Sequence, residues 1–430
     1  MADWYVWADP APDGTAPNNW LSVFGGTAWT WEPRRRQYYL HHFLSHQPAL
    51  NLRHGPVLDA VEDTARFWLD RGVDGFRLDA IDFLAHDPHL RSNPPAPAPD
   101  GTPVKLFALQ NHVHDMLHPD GASVLARLRA LTDTYPDACL LGEISSQPGA
   151  FERVMAATAG DERLHMAYTL RPLRGGFDWA TLRALLTEVA ATGDEGWPCW
   201  SFSNHDVERA ATRWAPGGRA DPNVTRQLLA MLLSLRGSVS LYQGEELGLP
   251  EAALRFEDLR DPFGIAYWPE FRGRDGSRTP IPWESGAPAA GFTTGTPWLP
   301  VPASHVPLAV DRQTAEAGTI LQFARHFLAW RRSQPALRVG TLRPLALAAP
   351  LIGFERALAG GGGQVLALFN VSDRHAAMSL ADYIEVHPVE ESGFAARIAG
   401  GTVLLPPHGA FFANVIPARQ WEEEAALAFA

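Results

Sequence analysis

Residues 72–83 read GVDGFRLDAIDF, and the fold turns on this stretch. Val73 to Leu78 is an apolar-rich run of strand length, opened by Gly72 and closed by an acid, Asp79. Upstream, Pro56 stands where a first helical turn accepts proline. From there Val57, Leu58, Val61, Ala65, Trp68 and Leu69 recur at helical spacing until Gly72 stops the run. Downstream, Pro88, Pro94, Pro95, Pro97, Pro99 and Pro103 break any regular structure, in a connection long enough to cover a site. A helical pattern from Ala122 to Leu131 then leads to a strand at Ala138 to Leu141. Further strands are predicted at Met166 to Leu170, Trp200 to Ser203 and Val239 to Tyr242, with helical patterns at Trp179 to Ala190 and Val224 to Leu235 between them. Five strands alternating with helices predict an α/β protein whose parallel sheet is wrapped by helices, as a barrel or as an open doubly wound sheet.

The flanks differ from this centre. Residues 1–54 are rich in Trp, Pro, Asn and Gly and have little periodicity, which predicts a loop-rich subdomain. Residues 55–339 carry the alternating pattern. In residues 340–430 the helices give way to short apolar runs, Leu351 to Glu355, Val365 to Phe369 and Ala410 to Val415, set off by Gly and Pro as in a small antiparallel β domain of sandwich type. The formal net charge of −12 over 430 residues is spread along the chain, which argues against a nucleic-acid partner and favours a neutral small molecule. The two cysteines, Cys139 and Cys199, flank strand-like runs and read as buried thiols, with no disulfide framework and no metal site. No run of about 18 apolar residues predicts a membrane span. Met1 to Pro10 has no charged-then-apolar leader, so the compartment expected is the cytoplasm.

Three acids stand where strands release into loops: Asp79, Glu143 and Asp206, 64 and 63 residues apart. In a βα barrel that is the side where catalytic groups gather. A single acid there is ordinarily a helix cap or a solvated group. Three together point to one pocket. Arg77 lies two residues before Asp79, on the same side of the strand, where its charge would keep Asp79 ionised.

These strings resemble the α-amylase superfamily. GVDGFRLDAIDF is similar to its nucleophile segment, LLGEIS (140–145) to its acid/base segment and FSNHD (202–206) to its third-carboxylate segment. DWYVWADP (3–10), SVFGGTAW (22–29), QPALN (47–51), YQGEELGL (242–249) and GRDGSRTPIPW (273–283) are similar to the α-glucosidase and oligo-1,6-glucosidase branch. The resemblance implies a TIM barrel and a retaining glycosidase in which Asp79 is the nucleophile, Glu143 the general acid and then base, and Asp206 the residue that grips the distorted sugar ring. Such chemistry needs one ionised and one protonated carboxyl group about 5 Å apart, and the negative Asp79 would help keep Glu143 protonated. By the same resemblance His205 bonds sugar hydroxyls, Arg274 clamps the terminal glucose and Phe24 forms an aromatic wall.

Ala80, small where enzymes cleaving α-1,6 bonds often carry Val, favours α-1,4 linkages. Ala49 in QPALN departs from the commoner acidic residue of the branch. DWYVWADP normally follows the third barrel strand, so the resemblance implies that barrel strands four to eight are present and that the first three strands, about 90 residues or more, are not. The calcium loop usual in the family belongs to that earlier part, leaving no cofactor expected here. A five-strand remnant would expose sheet edges, and self-association through the incomplete barrel is one expectation. The function expected is release of terminal α-1,4-linked glucose from maltose-type substrates. A transglucosylase or sucrose-active isomerase on the same site, and an inactive truncated homologue, are the alternatives.

Overall fold

The computed structural model describes residues 2–97, 105–145, 149–173, 175–176, 179–191, 195–360 and 363–418; Pro99 and Pro103 of the Pro-rich connection lie outside them. The chain divides into two units. The first comprises Met1–Arg171, Glu195–Trp197 and Ala266–Phe271, and the second Pro172–Asp194, Pro198–Ile265 and Arg272–Ala430.

The first unit opens with a small antiparallel sheet of β1 (Trp7–Ala8), β2 (Trp29–Glu32) and β3 (Gln37–Leu40), in the order β1-β3-β2. Strands of two to four residues are too short for alternation to register in the sequence, which is why this segment reads as irregular. Its core is Trp20 stacked on Trp29, with ring centroids 5.8 Å apart, and Leu40. Both indoles donate, Trp20 to the Arg91 carbonyl at 2.8 Å and Trp29 to Asn18 Oδ1 at 2.8 Å, so the large aromatic surfaces are buried without stranding an N–H group.

The alternating pattern follows. Helix α1 (Gly55–Leu69) has Pro56 in its first turn and buries Val57, Leu58, Ala65 and Leu69, while Trp68, at an inward spacing in the sequence, is 48% exposed. Then come β4 (Gly75–Leu78), α2 (Gly121–Thr132), β5 (Cys139–Ile144), α3 (Ala150–Thr158) and β6 (Met166–Thr169). The three strands form a parallel sheet in the order β4-β5-β6. Leu58 and Leu69 of α1, Leu128 and Leu131 of α2, Leu140 and Ile144 of β5 and Val154 of α3 share one core. Burial of each such side chain is worth roughly 1.5–3 kcal/mol. Gly75 is required where β4 meets β5: its φ is +138°, and a Cβ there would lie 1.9 Å from the Cys139 carbonyl oxygen.

The second unit continues with α4 (Trp179–Ala191), β7 (Cys199–Trp200), α5 (Ala210–Arg213), α6 (Pro222–Ser234) and β8 (Ser238–Val239). Strands β7 and β8 pair in parallel over two residues each, shorter than the runs Trp200 to Ser203 and Val239 to Tyr242 predict. Asp221 caps α6 by accepting from the backbone of Asn223 and Val224, ahead of a proline in the first turn. Cys199 is buried, which pushes its thiol up to about 12, and both cysteines are free. Beyond the helix Ile320–Ser333, antiparallel strands begin at β9 (Thr341–Pro344). They continue with β10 (Leu351–Ala357), β11 (Gln364–Asn370), β12 (Ala376–Ser379), β13 (Tyr383–Pro388), β14 (Arg397–Ala399), β15 (Thr402–Leu405) and β16 (Ala410–Pro417). A five-stranded sheet ordered β13-β16-β11-β10-β9 and a three-stranded sheet ordered β12-β15-β14 share a core that includes Leu366, Leu368, Val403, Leu405 and Phe411. Among the described residues no helix is long and apolar enough to cross a membrane.

Candidate active site

In the first unit, alternation along parallel strands sets the functional side chains. Asp79 follows the last residue of β4 and its side chain is 73% exposed, whereas Glu143, inside β5, is buried. Arg77 on β4 donates Nη1 to Asp79 Oδ1, and its Nη2 forms an ion pair with Glu143 Oε2, so one guanidinium joins both carboxylates. Burial pulls the Arg77 guanidinium down, but Tyr168 and Asp79 outweigh it and hold its pKa above the usual arginine value. Tyr168, which the sequence reading passed over, sits in register beside Glu143 on β6. Its hydroxyl accepts from Arg77 Nη2 at 2.8 Å and donates to Glu143 Oε2 at 2.5 Å. A tyrosine inside an apolar strand gives no sequence signal except its polar tip.

A second tie joins the same two segments. Asp82 is buried, and its carboxylate accepts the Ser145 backbone N–H at 2.7 Å; burial, only partly offset by the Ser145 bonds, raises its pKa. Ala80, between Asp79 and Asp82, is left-handed with φ +43°, which turns the chain out of β4 so that Asp79 and Asp82 diverge. Phe24 is half-buried. Its ring lies 6.1 Å from Phe43, which in turn packs 5.3 Å from Phe83 at the end of the Asp79 segment.

In the second unit, Asp206 lies in the loop beyond β7, not at the strand end that the longer predicted run would give. Its Oδ1 accepts from Arg274 Nη1 at 3.1 Å and from Arg278 Nη2 at 2.9 Å, while His205 Nε2 is 3.6 Å away. Arg274 is forked onto Asp261, through Nε at 3.0 Å and Nη2 at 2.8 Å. Asp261 is buried, which by itself would raise its pKa; the Arg274 fork and backbone N–H groups outweigh burial and hold it below the usual carboxylate value. Asp275 in turn accepts the backbone N–H groups of Arg260 and Asp261. Arg278 and Asp261 were not among the residues singled out from the sequence. Buried Arg209 fastens two motif segments together: it donates to the Gln243 and Ser277 carbonyls, each at 2.8 Å, and its own backbone N–H donates to Glu251 at 2.9 Å. Gly276 allows this packing, since a Cβ there would lie 2.1 Å from Glu251 Oε1. Among the described residues, no group of three or more His, Cys, Asp or Glu side chains is arranged to hold a metal ion.

Parallel strands followed by helices, with antiparallel sheets at the C-terminal end of the chain, define the class of TIM-barrel enzymes. Residues 1–340 match the α-amylase catalytic domain, and the chain belongs to that family of glycoside hydrolases. It is 45% identical over 423 residues to a probable α-glucosidase of Rhizobium meliloti (strain 1021), covering 96% of this chain and 76% of that one. With an oligo-1,6-glucosidase of Heyndrickxia coagulans it shares 30% identity over 77% of this chain and 64% of the relative. Among solved structures, the α-glucosyl transfer enzyme XgtA superposes with a TM-score of 0.91 at 49% identity, over 96% of this chain and 77% of that one.

Proposed function

We propose that the protein is a retaining α-glucosidase that releases terminal α-1,4-linked glucose from maltose-type substrates or other α-glucosides. The observation that carries the proposal is the shared guanidinium of Arg77. It keeps the two carboxyl groups within reach of one arginine, which supports the close spacing, roughly 5 Å, that a retaining mechanism needs. Arg77 engages Oδ1 of Asp79, and no described hydrogen bond falls on Oδ2, the oxygen assigned to attack. In the first step Asp79 Oδ2 forms a bond to the anomeric carbon as the bond to the leaving oxygen breaks, and Glu143 passes its proton to that oxygen. In the second step Glu143 takes a proton from water, whose oxygen displaces Asp79 with net retention. Asp206, His205, Arg274 and Phe24 are assigned the ring-gripping, hydroxyl-binding, clamping and wall roles that the family resemblance implies. Small Ala80 supports the α-1,4 preference.

The test is release of 4-nitrophenol from 4-nitrophenyl α-glucoside by the wild type and by Asp79→Asn. The wild type is expected to turn over, and the variant to lose at least about 10³-fold in kcat, as when a nucleophile is removed. Full activity in the variant contradicts the assignment. A second reading, transfer of glucose to a sugar acceptor, is supported by the 49% identity to an α-glucosyl transfer enzyme. It shares the first step and differs only in what meets the intermediate. With maltose present, glucose released in equal amount to nitrophenol supports hydrolysis, and a glucose deficit matched by a longer saccharide supports transfer.

A further inference from the structure

Two groups converge on a single oxygen of Glu143. Arg77 Nη2 forms its ion pair with Oε2, and the Tyr168 hydroxyl donates to the same Oε2 at 2.5 Å. No described hydrogen bond falls on Oε1. A phenol has one proton, and the Tyr168 oxygen already accepts from Arg77 Nη2 at 2.8 Å, so the phenolic proton is directed at Glu143. Tyr168 is buried and in register with Glu143 across the parallel pair β5-β6, which fixes the geometry from rigid elements on both sides.

We propose that Tyr168 is a positioning residue that determines which oxygen of Glu143 carries the acid proton. With Oε2 engaged by two donors, a proton bound there would have to displace one of them, so the proton resides on Oε1. Tyr168 and Arg77 then hold the carboxyl plane so that Oε1 faces the leaving oxygen. In the bond-breaking step the Oε1 proton passes to that oxygen, the electron pair of the broken bond stays on the same oxygen, and the carboxylate left behind keeps its Tyr168 hydrogen bond. In the reverse duty Oε1 takes the proton back from the incoming water or sugar hydroxyl. The inference rests on the assignment of Glu143 as general acid and holds whether water or a sugar completes the cycle.

The test compares two substrates that differ only in how much they need an acid. A nitrophenolate leaves without protonation; a phenolate depends on it. For Tyr168→Phe, which removes one oxygen, kcat/KM for phenyl α-glucoside is expected to fall at least about tenfold more than for 4-nitrophenyl α-glucoside, a fraction of the 10²–10⁴-fold supplied by general acid catalysis. The ratio of the two values is independent of the fraction of enzyme that is folded, so loss of folded protein does not mimic the result. An unchanged ratio overturns the inference. Glu143→Gln serves as the reference. If it shows the leaving-group dependence and Tyr168→Phe does not, only the role of Tyr168 falls. If Glu143→Gln lacks the dependence, the acid assignment falls and the inference with it.

Discussion

At the scale of residues, Asp261 illustrates how a side chain remote from the proposed chemistry supports it. Its carboxylate has no exposed surface and both oxygens are taken by the Arg274 fork, which leaves Arg274 Nη1 aimed at Asp206 Oδ1. Asp261→Asn keeps the shape, removes the charge and turns one acceptor into a donor facing a guanidinium. The expected cost is roughly 2–4 kcal/mol, since breaking a buried charged pair leaves its partner uncompensated. A denaturant midpoint unchanged from wild type contradicts this. The depressed pKa of Asp261 also gives a sign: its contribution is present above the unfolded value of 3.8 and is lost as pH falls through the folded one. Asp79, Glu143 and Asp206 could be singled out from the sequence because each stands near a strand end inside a specific string. Tyr168, Asp261 and Arg278 could not, because a polar tip in an apolar strand, an acid before a proline and a loop arginine have many uses, and only packing selects one.

At the scale of elements, local pattern and tertiary contact divide the work. Helices α1, α2, α4 and α6 form within a residue or two of where apolar periodicity and proline place them. Strands β4 to β8 form where apolar runs stand, but their lengths differ from expectation because pairing with a neighbour, which no local pattern encodes, decides how far a ladder runs. Helix α3, nine residues with three alanines, and the short sheet β1-β3-β2 went unread for want of length. Two glycines around β4 separate conformational strain from steric exclusion. Gly72 has φ +85° with open space around its missing Cβ, so Gly72→Ala is expected to cost about 1–2 kcal/mol, the left-handed penalty alone. Gly75→Ala must also push β5 away, and a cost of at least about 3 kcal/mol, or failure to yield soluble protein, is expected. Equal unfolding midpoints for the two variants would count against this account of the β4-β5 junction.

At the scale of the whole molecule, opposed sets of buried titratable groups shape the response to acid. Burial lowers His42 to about 3 and His86 and His305 to about 4. The unfolded chain therefore takes up protons below its histidine value of 6.5 that the folded protein refuses, and stability falls as pH drops from there toward 4. Burial raises Glu245 and Glu251 to about 7, so their contribution is fully present below the unfolded value of 4.5 and is lost as pH rises through 7. Between pH 4.5 and 6.5 these three histidines oppose these two glutamates, and the balance of the five is a contribution to stability that declines with acid on the order of 1 kcal/mol per pH unit. Glu245→Gln removes one opposing group and is expected to steepen the decline, as read from denaturant midpoints across that range; a shallower slope contradicts the assignment. The central claim, that the chain works through a glucosyl-enzyme bond to Asp79, is tested most directly by trapping that bond. A fluorine-substituted glucosyl fluoride that forms the intermediate faster than water removes it is incubated with the full chain, and the digested protein is analysed by peptide mass. The account predicts one added fluoroglucosyl mass on Asp79 within residues 72–83. A label on any other residue, or none from a preparation that releases nitrophenol, would contradict it.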